Sequence, residues 1–272
     1  MSLVINTNVA SLNAQRSLAK SGAELSTAME RLSSGKKINS AADDAAGFAI
    51  AERMTAQVRG LNMAAKNASD GLSMLATIEN ATNDVTDMLH RMRELAVQAA
   101  NDTNGSTDRG YLQTEVAALI AEIDRVSTDT KYNGTAVLDG TFTSKKLQVG
   151  TEGTQSITFS IDDVGVTALG VAAVTVSTQA GAAAALTTIS TAIEAVASDR
   201  ATYGALQNRL EYTVSNLMNV SEFTQAARSR IEDADFAAES ARLSKAQVLQ
   251  QTGTAMLAQA NASQQLALSL FR

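Results

Sequence analysis

Proline and cysteine are absent from the 272 residues, tryptophan is absent too, and aromatic side chains make up only 4% of the chain. Each gap removes a class of answer. Without proline nothing in the chain breaks a helix interior by ring geometry, so very long helices are permitted. Slow X-Pro isomerisation is removed as well, which suits a chain that must fold promptly after delivery. Without cysteine there are no disulfides, no thiol nucleophile and no cysteine-ligated metal. Scarce aromatics leave few stacking platforms for nucleic acid, and a net charge of −6 opposes a phosphate-binding surface.

Charge is missing locally as well. No ionisable side chain occurs from Met1 to Gln15, or from Ala246 to Phe271. The second run is too polar for a membrane span, which needs about 20 mostly apolar residues, because glutamine, asparagine, serine and threonine interrupt every apolar patch. Membrane insertion is therefore not expected. Nor does the Met1–Asn6 segment have the basic region, apolar core and small-residue cleavage site of a secretory signal, so export is expected by another route. Chain ends are ordinarily charged and frayed. Ends built for burial but unsuited to lipid point to burial on assembly. In the free monomer they are expected to be disordered and to become helical when assembled, since solitary helices are marginal in water.

What is present is mostly helical pattern. Leu18, Leu25 and Leu32 fall seven apart, and Ser33-Ser34-Gly35 then supplies a stop. Lys36 to Ala42 reads as an extended connector, and Asp43-Asp44 as a helix N-cap with a first-turn carboxylate. Met54, Val58, Leu61, Ala65, Ala68, Leu72 and Leu75 follow in steps of four and three, and after a slip at Ile78 the pattern resumes through Thr82, Val85, Leu89, Met92, Ala96 and Ala99. A 3.5-residue repeat of this length is a coiled-coil seam, and its alanines imply close helix approach. A further helix is expected from about Arg109 to Thr128, with Leu112, Val116, Leu119, Ile123 and Val126 as its stripe. A second long seam runs Leu206, Leu210, Thr213, Leu217, Val220, Thr224, Ala227, Ile231. Between them, turn signals at Asn133-Gly134 and Asp139-Gly140 flank period-two stretches at Leu147–Val149 and Ile157–Ile161, which predict a β-hairpin. Val164 to Val176 is expected to add short strands. The fold class is mainly α: a long antiparallel coiled-coil bundle formed by both chain ends, with a small β-hairpin region in the middle.

Catalytic chemistry finds no footing. The single histidine, His90, has no second histidine with which to build a metal pair or triad variant. Ser34-Gly35-Lys36-Lys37 lacks the earlier glycine of a phosphate loop. The pairs Asp43/Asp44 and Asp162/Asp163 suit capping and turn roles better than cation binding, and Arg91 and Arg93 beside Glu94 read as a solvated face. No cofactor is expected. Two long seams with uncharged ends are most simply explained by self-assembly, since repeated heterologous contacts that do not close generate a helical fibre.

Three N-terminal segments, INTNVASLNAQ (5–15), LSSGKKINSAADDAAG (32–47) and NASDG (67–71), closely resemble the N-terminal region of bacterial flagellin. Segments ALQNRLE (205–211), SRIEDADFA (229–237), QAN (259–261) and LSLFR (268–272) resemble its C-terminal region. The resemblance implies a subunit that polymerises into the flagellar filament, exported unfolded by the flagellar type III apparatus and assembled beneath a cap. It implies an inner coiled-coil domain from 1–44 with 233–272, an outer-tube helical domain from 45–140 with 187–232, and a small β-rich tip at 141–186. Assembly positions on the terminal helices would be Leu3, Ile5, Leu12, Leu18, Leu25, Leu257, Leu266 and Leu270, with glutamines of the last helix facing a central channel. Implied partners are further copies of the chain, an export chaperone on the C-terminal helices, and the cap and hook-associated proteins. A last implication concerns Toll-like receptor five of a host: Arg91, Leu95, Gln98 and Glu115 match contacts of stimulatory members, whereas Leu119 departs from their arginine. The nearest rival by resemblance is a hook–filament junction protein, and a more distant one is an intracellular coiled-coil scaffold.

Overall fold

The computed structural model describes residues 7–269, with residues 264–269 described by backbone alone. The chain divides into two compact units, one of residues 1–58 with 222–272 and the other of residues 59–221.

In the first unit, helix α1 spans Val9–Ser34. Asn8 caps it, its Oδ1 accepting from the Ser11 N–H at 2.9 Å, and Gly35 closes it at φ 71°, its N–H donating to the Arg31 carbonyl at 2.9 Å. The predicted stop thus falls on the residue whose missing Cβ permits that conformation. The connector is pinned as well as extended. The Lys37 N–H donates to the Glu232 carbonyl at 2.6 Å and the Ala234 N–H to the Gly35 carbonyl at 3.0 Å. The two aspartates divide their labour: Asp43 Oδ2 accepts from the Asn39 and Ser40 N–H groups at 3.0 and 2.9 Å, while Asp44 Oδ1 caps helix α2 (Ala45–Ala99) through Ala46 and Gly47 at 3.1 and 3.0 Å. A Cβ on Gly47 would sit 2.5 Å from Asp44 Oδ2 and 2.7 Å from Ile38 Cδ1, so this cap has no room for a side chain.

In the second unit the seam of α2 is dry. Leu61, Ala65, Ala68, Leu75, Ile78, Thr82, Val85, Leu89, Met92, Ala96 and Ala99 are all buried, and the Thr82 hydroxyl is satisfied by the Ile78 carbonyl at 3.0 Å. Arg109 closes the end of α2, donating to the Ala99 and Asn101 carbonyls at 2.8 and 3.1 Å. Helix α3 (Ser106–Asp129) begins with Asp108 reaching back to the Gly105 N–H at 3.0 Å. Two antiparallel hairpins follow. Strands β1 (Lys131–Tyr132) and β2 (Thr135–Ala136) turn through Asn133 and Gly134, both at positive φ, and β3 (Lys145–Gln148) pairs with β4 (Ser156–Phe159) with Leu147 opposite Ile157. The hairpins lean on helices as expected: Val137, Leu138, Ile157, Ile161 and Val164 share a core with Leu75 and Ile78 of α2 and with Tyr203 and Leu210 of α4 (Gln179–Glu232).

The strands expected between Val164 and Val176 do not form. Their backbone groups bond locally instead, Leu169 N–H to Gly165, Gly170 to Thr167, Val171 to Val166 and Val174 to Val171, in a series of tight turns. Leu169, Val171, Val174 and Val176 are buried against α2, α3 and the start of α4. The apolar residues serve as a plug on a helical core, and glycines 165 and 170 permit the winding. Among the described residues only α4 is long and apolar enough to cross a membrane, and its Ala182, Ala185, Ile189, Ala192 and Val196 stripe is committed to the core.

Candidate assembly surface

The terminal helices meet in the first unit. Asp235 caps helix α5 (Phe236–Ser269) through the Ala237 and Ala238 N–H groups at 2.9 and 3.2 Å, and α5 runs antiparallel to α1. Polar contacts fix the register. Asn8 Nδ2 donates to the Ala260 carbonyl at 3.0 Å and the Ser11 hydroxyl to Asn261 Oδ1 at 3.0 Å. At the other end Arg31 lies 3.8 Å from the buried Glu239, which Arg242 also engages at 3.2 Å. Close approach is possible where Gly253 faces Leu18, whose Cδ1 would lie 3.4 Å from a Cβ there.

This pairing leaves much apolar surface in water. Only Ser11, Ser21 and Ala28 of α1 are buried, whereas Val9, Leu12 and Met29 are more than half exposed, and on α5 so are Val248 and Met256, the latter at 64%. Of the expected assembly positions, Leu18, Leu25 and Leu257 are half-buried in the α1–α5 seam and Leu12 is 52% exposed. Leu3, Ile5, Leu270 and the side chain of Leu266 lie outside the described residues. A groove of about 570 Å³ lies along the pair, with Ala10, Ala14, Leu249 and Met256 among its walls. The first thirteen described side chains of the charge-free α5 segment thus include one buried residue near its start, Ala246, and a long wet flank.

The residues singled out for host recognition lie on α2 and α3 of the second unit. Arg91 Nε donates to Glu115 Oε1 at 2.8 Å and its guanidinium also reaches Glu94 Oε2 at 3.0 Å, contacts that raise the Arg91 pKa, Glu115 contributing most. Arg91, Gln98 and Glu115 are exposed, and Leu95 is 1% exposed beneath them. Three of the four can therefore touch a partner directly, and Leu95 supports them from the core. Leu119, the departing position, is half-buried. His90 is exposed on α2. What the sequence did not reveal is how Arg31, Glu239 and Arg242 converge, since these positions are brought together only by antiparallel pairing of the two ends.

Comparison with known proteins gives one answer along the chain. The model of the bacterial flagellin N-terminal helical region matches residues 5–143, and that of the bacterial flagellin C-terminal helical region matches residues 186–271. Flagellin of Halalkalibacterium halodurans is 42% identical, with 99% of this chain and all of that protein covered. The flagellar filament 33 kDa core protein of Treponema phagedenis is 41% identical over 99% of this chain and all of its own length. Among solved structures, Bacillus cereus flagellin is 32% identical over 56% of this chain and 88% of its own, with a TM-score of 0.51. With both end regions matched in order and relatives aligned along the whole chain, the protein belongs to the bacterial flagellin family and is a structural subunit of the extracellular flagellar filament.

Proposed function

We propose that the chain is exported unfolded through the flagellar type III apparatus and polymerises by covering the wet flank of its α1–α5 pair with the same helices of neighbouring copies. The observation that carries this reading is a charge-free helix pair whose Val9, Leu12, Val248 and Met256 remain in water when the chain is alone. Exposed apolar area of that kind is stabilised by burial at about 25 cal/mol per Å², and lateral repetition of the contact extends a fibre rather than closing a ring. Residues 1–44 with 233–272 form the inner domain in this reading, 45–140 with 187–232 the outer tube, and 141–186 the tip. The subunit performs no catalytic step, needs no cofactor, and engages neither nucleic acid nor membrane. Deleting residues 246–272 tests the proposal: seeded assembly followed by electron microscopy should give no stable filaments, and filaments from the shortened chain would refute it.

The further partners follow from the family. The C-terminal helices bind an export chaperone before secretion, and the filament meets cap and hook-associated proteins at its ends. Depolymerised subunits engage Toll-like receptor five through Arg91, Gln98 and Glu115, with Leu95 holding α2 in place beneath them. Undiminished signalling by Arg91→Ala monomers in a receptor reporter assay would overturn this assignment.

A further inference from the structure

Asp162 and Asp163 follow β4 as a pair, but the fold separates their roles. Asp163 Oδ1 accepts from the Gly165 N–H at 2.7 Å and is used up in a local turn. Asp162 lies against α4 instead. Its N–H donates to the Tyr203 hydroxyl at 3.2 Å, and its carboxyl group is within hydrogen-bonding reach of Asp199. Asp199 and Tyr203 stand four apart on α4, so one helix face presents both. Tyr203 is 1% exposed and packs in the core with Ile78, Val137, Ile161 and Val164, which fixes the hydroxyl and with it the position of Asp162.

Two carboxyl groups held this close cannot both ionise without repulsion, whereas one proton between them makes a hydrogen bond. We propose that Asp162 and Asp199 form a proton-operated latch that fastens the segment after β4 to α4 in acid and loosens it at neutral and alkaline pH. The surrounding charges leave the pair to itself. On α2, Glu79 is engaged by Arg200 at 3.5 Å and by Gln207 at 3.2 Å, and Asp163 is turned to its own backbone. On the α3 side the Ser127 hydroxyl, a neutral group, faces Gly165. Burial first, and then the charge of Asp162, push the Asp199 carboxyl up from 3.8 to about 6. Burial holds the Tyr203 hydroxyl up at about 12, so it stays neutral throughout. Because the folded-state value is raised, the latch's stabilisation is complete below the ordinary value of 3.8 and is lost as pH rises through about 6.

The test uses the full-length monomer and does not depend on polymerisation, so its outcome is separate from that of the filament reading. Hydrogen exchange at the Asp162 amide, corrected for its intrinsic pH dependence, is compared between about pH 5 and pH 8 in the wild type, Asp199→Asn and Asp162→Asn. Protection in the wild type should fall by about tenfold at the higher pH, allowing one of the roughly two pKa units to survive solvent screening. In Asp199→Asn the carboxamide donates to Asp162 at every pH, so protection should stay constant and the variant should melt above the wild type only at the higher pH. Asp162→Asn should likewise abolish the pH dependence. Unchanged wild-type protection across this range, or a melting difference equal at both pH values, would overturn the latch.

Discussion

Replacing Leu12 separates folding from assembly. Its side chain is 52% exposed on α1 of the free chain, so the monomer loses little when it is shortened. Complete burial of a leucine is worth roughly 1.5–3 kcal/mol. Covering the exposed half against a neighbouring copy therefore contributes about 1 kcal/mol, and since every 1.4 kcal/mol is tenfold, Leu12→Ala should raise the critical concentration for filament growth about fivefold. Leu12→Asp is harsher. It loses the same apolar contact and carries a charge into an interface between uncharged helices, at a further cost of several kcal/mol, so seeded growth should fail at any practical concentration. The assay is seeded polymerisation followed by light scattering and sedimentation, with circular dichroism melts of each monomer as the control for folding. Wild-type critical concentrations in both variants would refute the argument. So would a monomer melt that drops as far as assembly does, because Leu12 would then be holding the subunit together rather than joining it to others.

Other substitutions probe the remaining parts. Leu95→Ala removes a fully buried side chain and should cost about 2–5 kcal/mol, lowering the melting temperature of the monomer by roughly 2–4 °C per kcal/mol. Arg91→Ala removes only exposed ion pairs to Glu94 and Glu115, so stability should change by less than about 1 kcal/mol in a double-mutant cycle with Glu115→Ala while receptor signalling falls. Asp44→Ala removes the cap of α2 and should cost about 1 kcal/mol, read most directly as faster hydrogen exchange at the Ala46 and Gly47 amides. Asp43 is held below its ordinary 3.8 chiefly by the N–H groups of Ser40 and Asn39. The stabilisation from that depressed carboxyl is present above 3.8 and is lost as pH falls through the folded-state value, so Asn39 and Ser40 amides should lose protection on acidification and show no such loss in Asp43→Asn.

The helices were legible because their signal is periodic and long. Every position of the first seam from Val58 to Ala99 except Leu72 is buried, and Leu72 packs at the edge of the same core. Caps were legible where the chemistry is local: Gly35 and Asp44 sit where their residue types predicted. The stretch from Val164 to Val176 misled for a physical reason. Its alternating valines have the period of a strand, yet no neighbouring strand is available to complete a ladder, and local turns satisfy the backbone while the side chains cap a helical core. Asp199 and Tyr203 gave no sequence signal at all, because their partner Asp162 lies thirty-seven and forty-one residues away and is brought to them only by the return of the chain along α4.

Where pattern and burial part company, the sequence says something about the protein's neighbours. On α4 the heptad positions Leu210 and Leu217 are buried, but Val220 is exposed and Thr224, Ala227 and Ile231 are only half-covered although the spacing continues unbroken. On α1 and α5 the same divergence is wider: Leu18, Leu25 and Leu257 are half-buried, and Leu12, Val248 and Met256 are largely wet. A repeat that only one partner helix had to satisfy would fade with the burial it achieves in the subunit. A repeat that outlasts that burial is matched to contacts the single subunit does not contain. The helical period in these regions therefore describes two structures at once, the subunit and its packing with further copies, and the mismatch between them marks the residues on which assembly variants should act without unfolding the monomer.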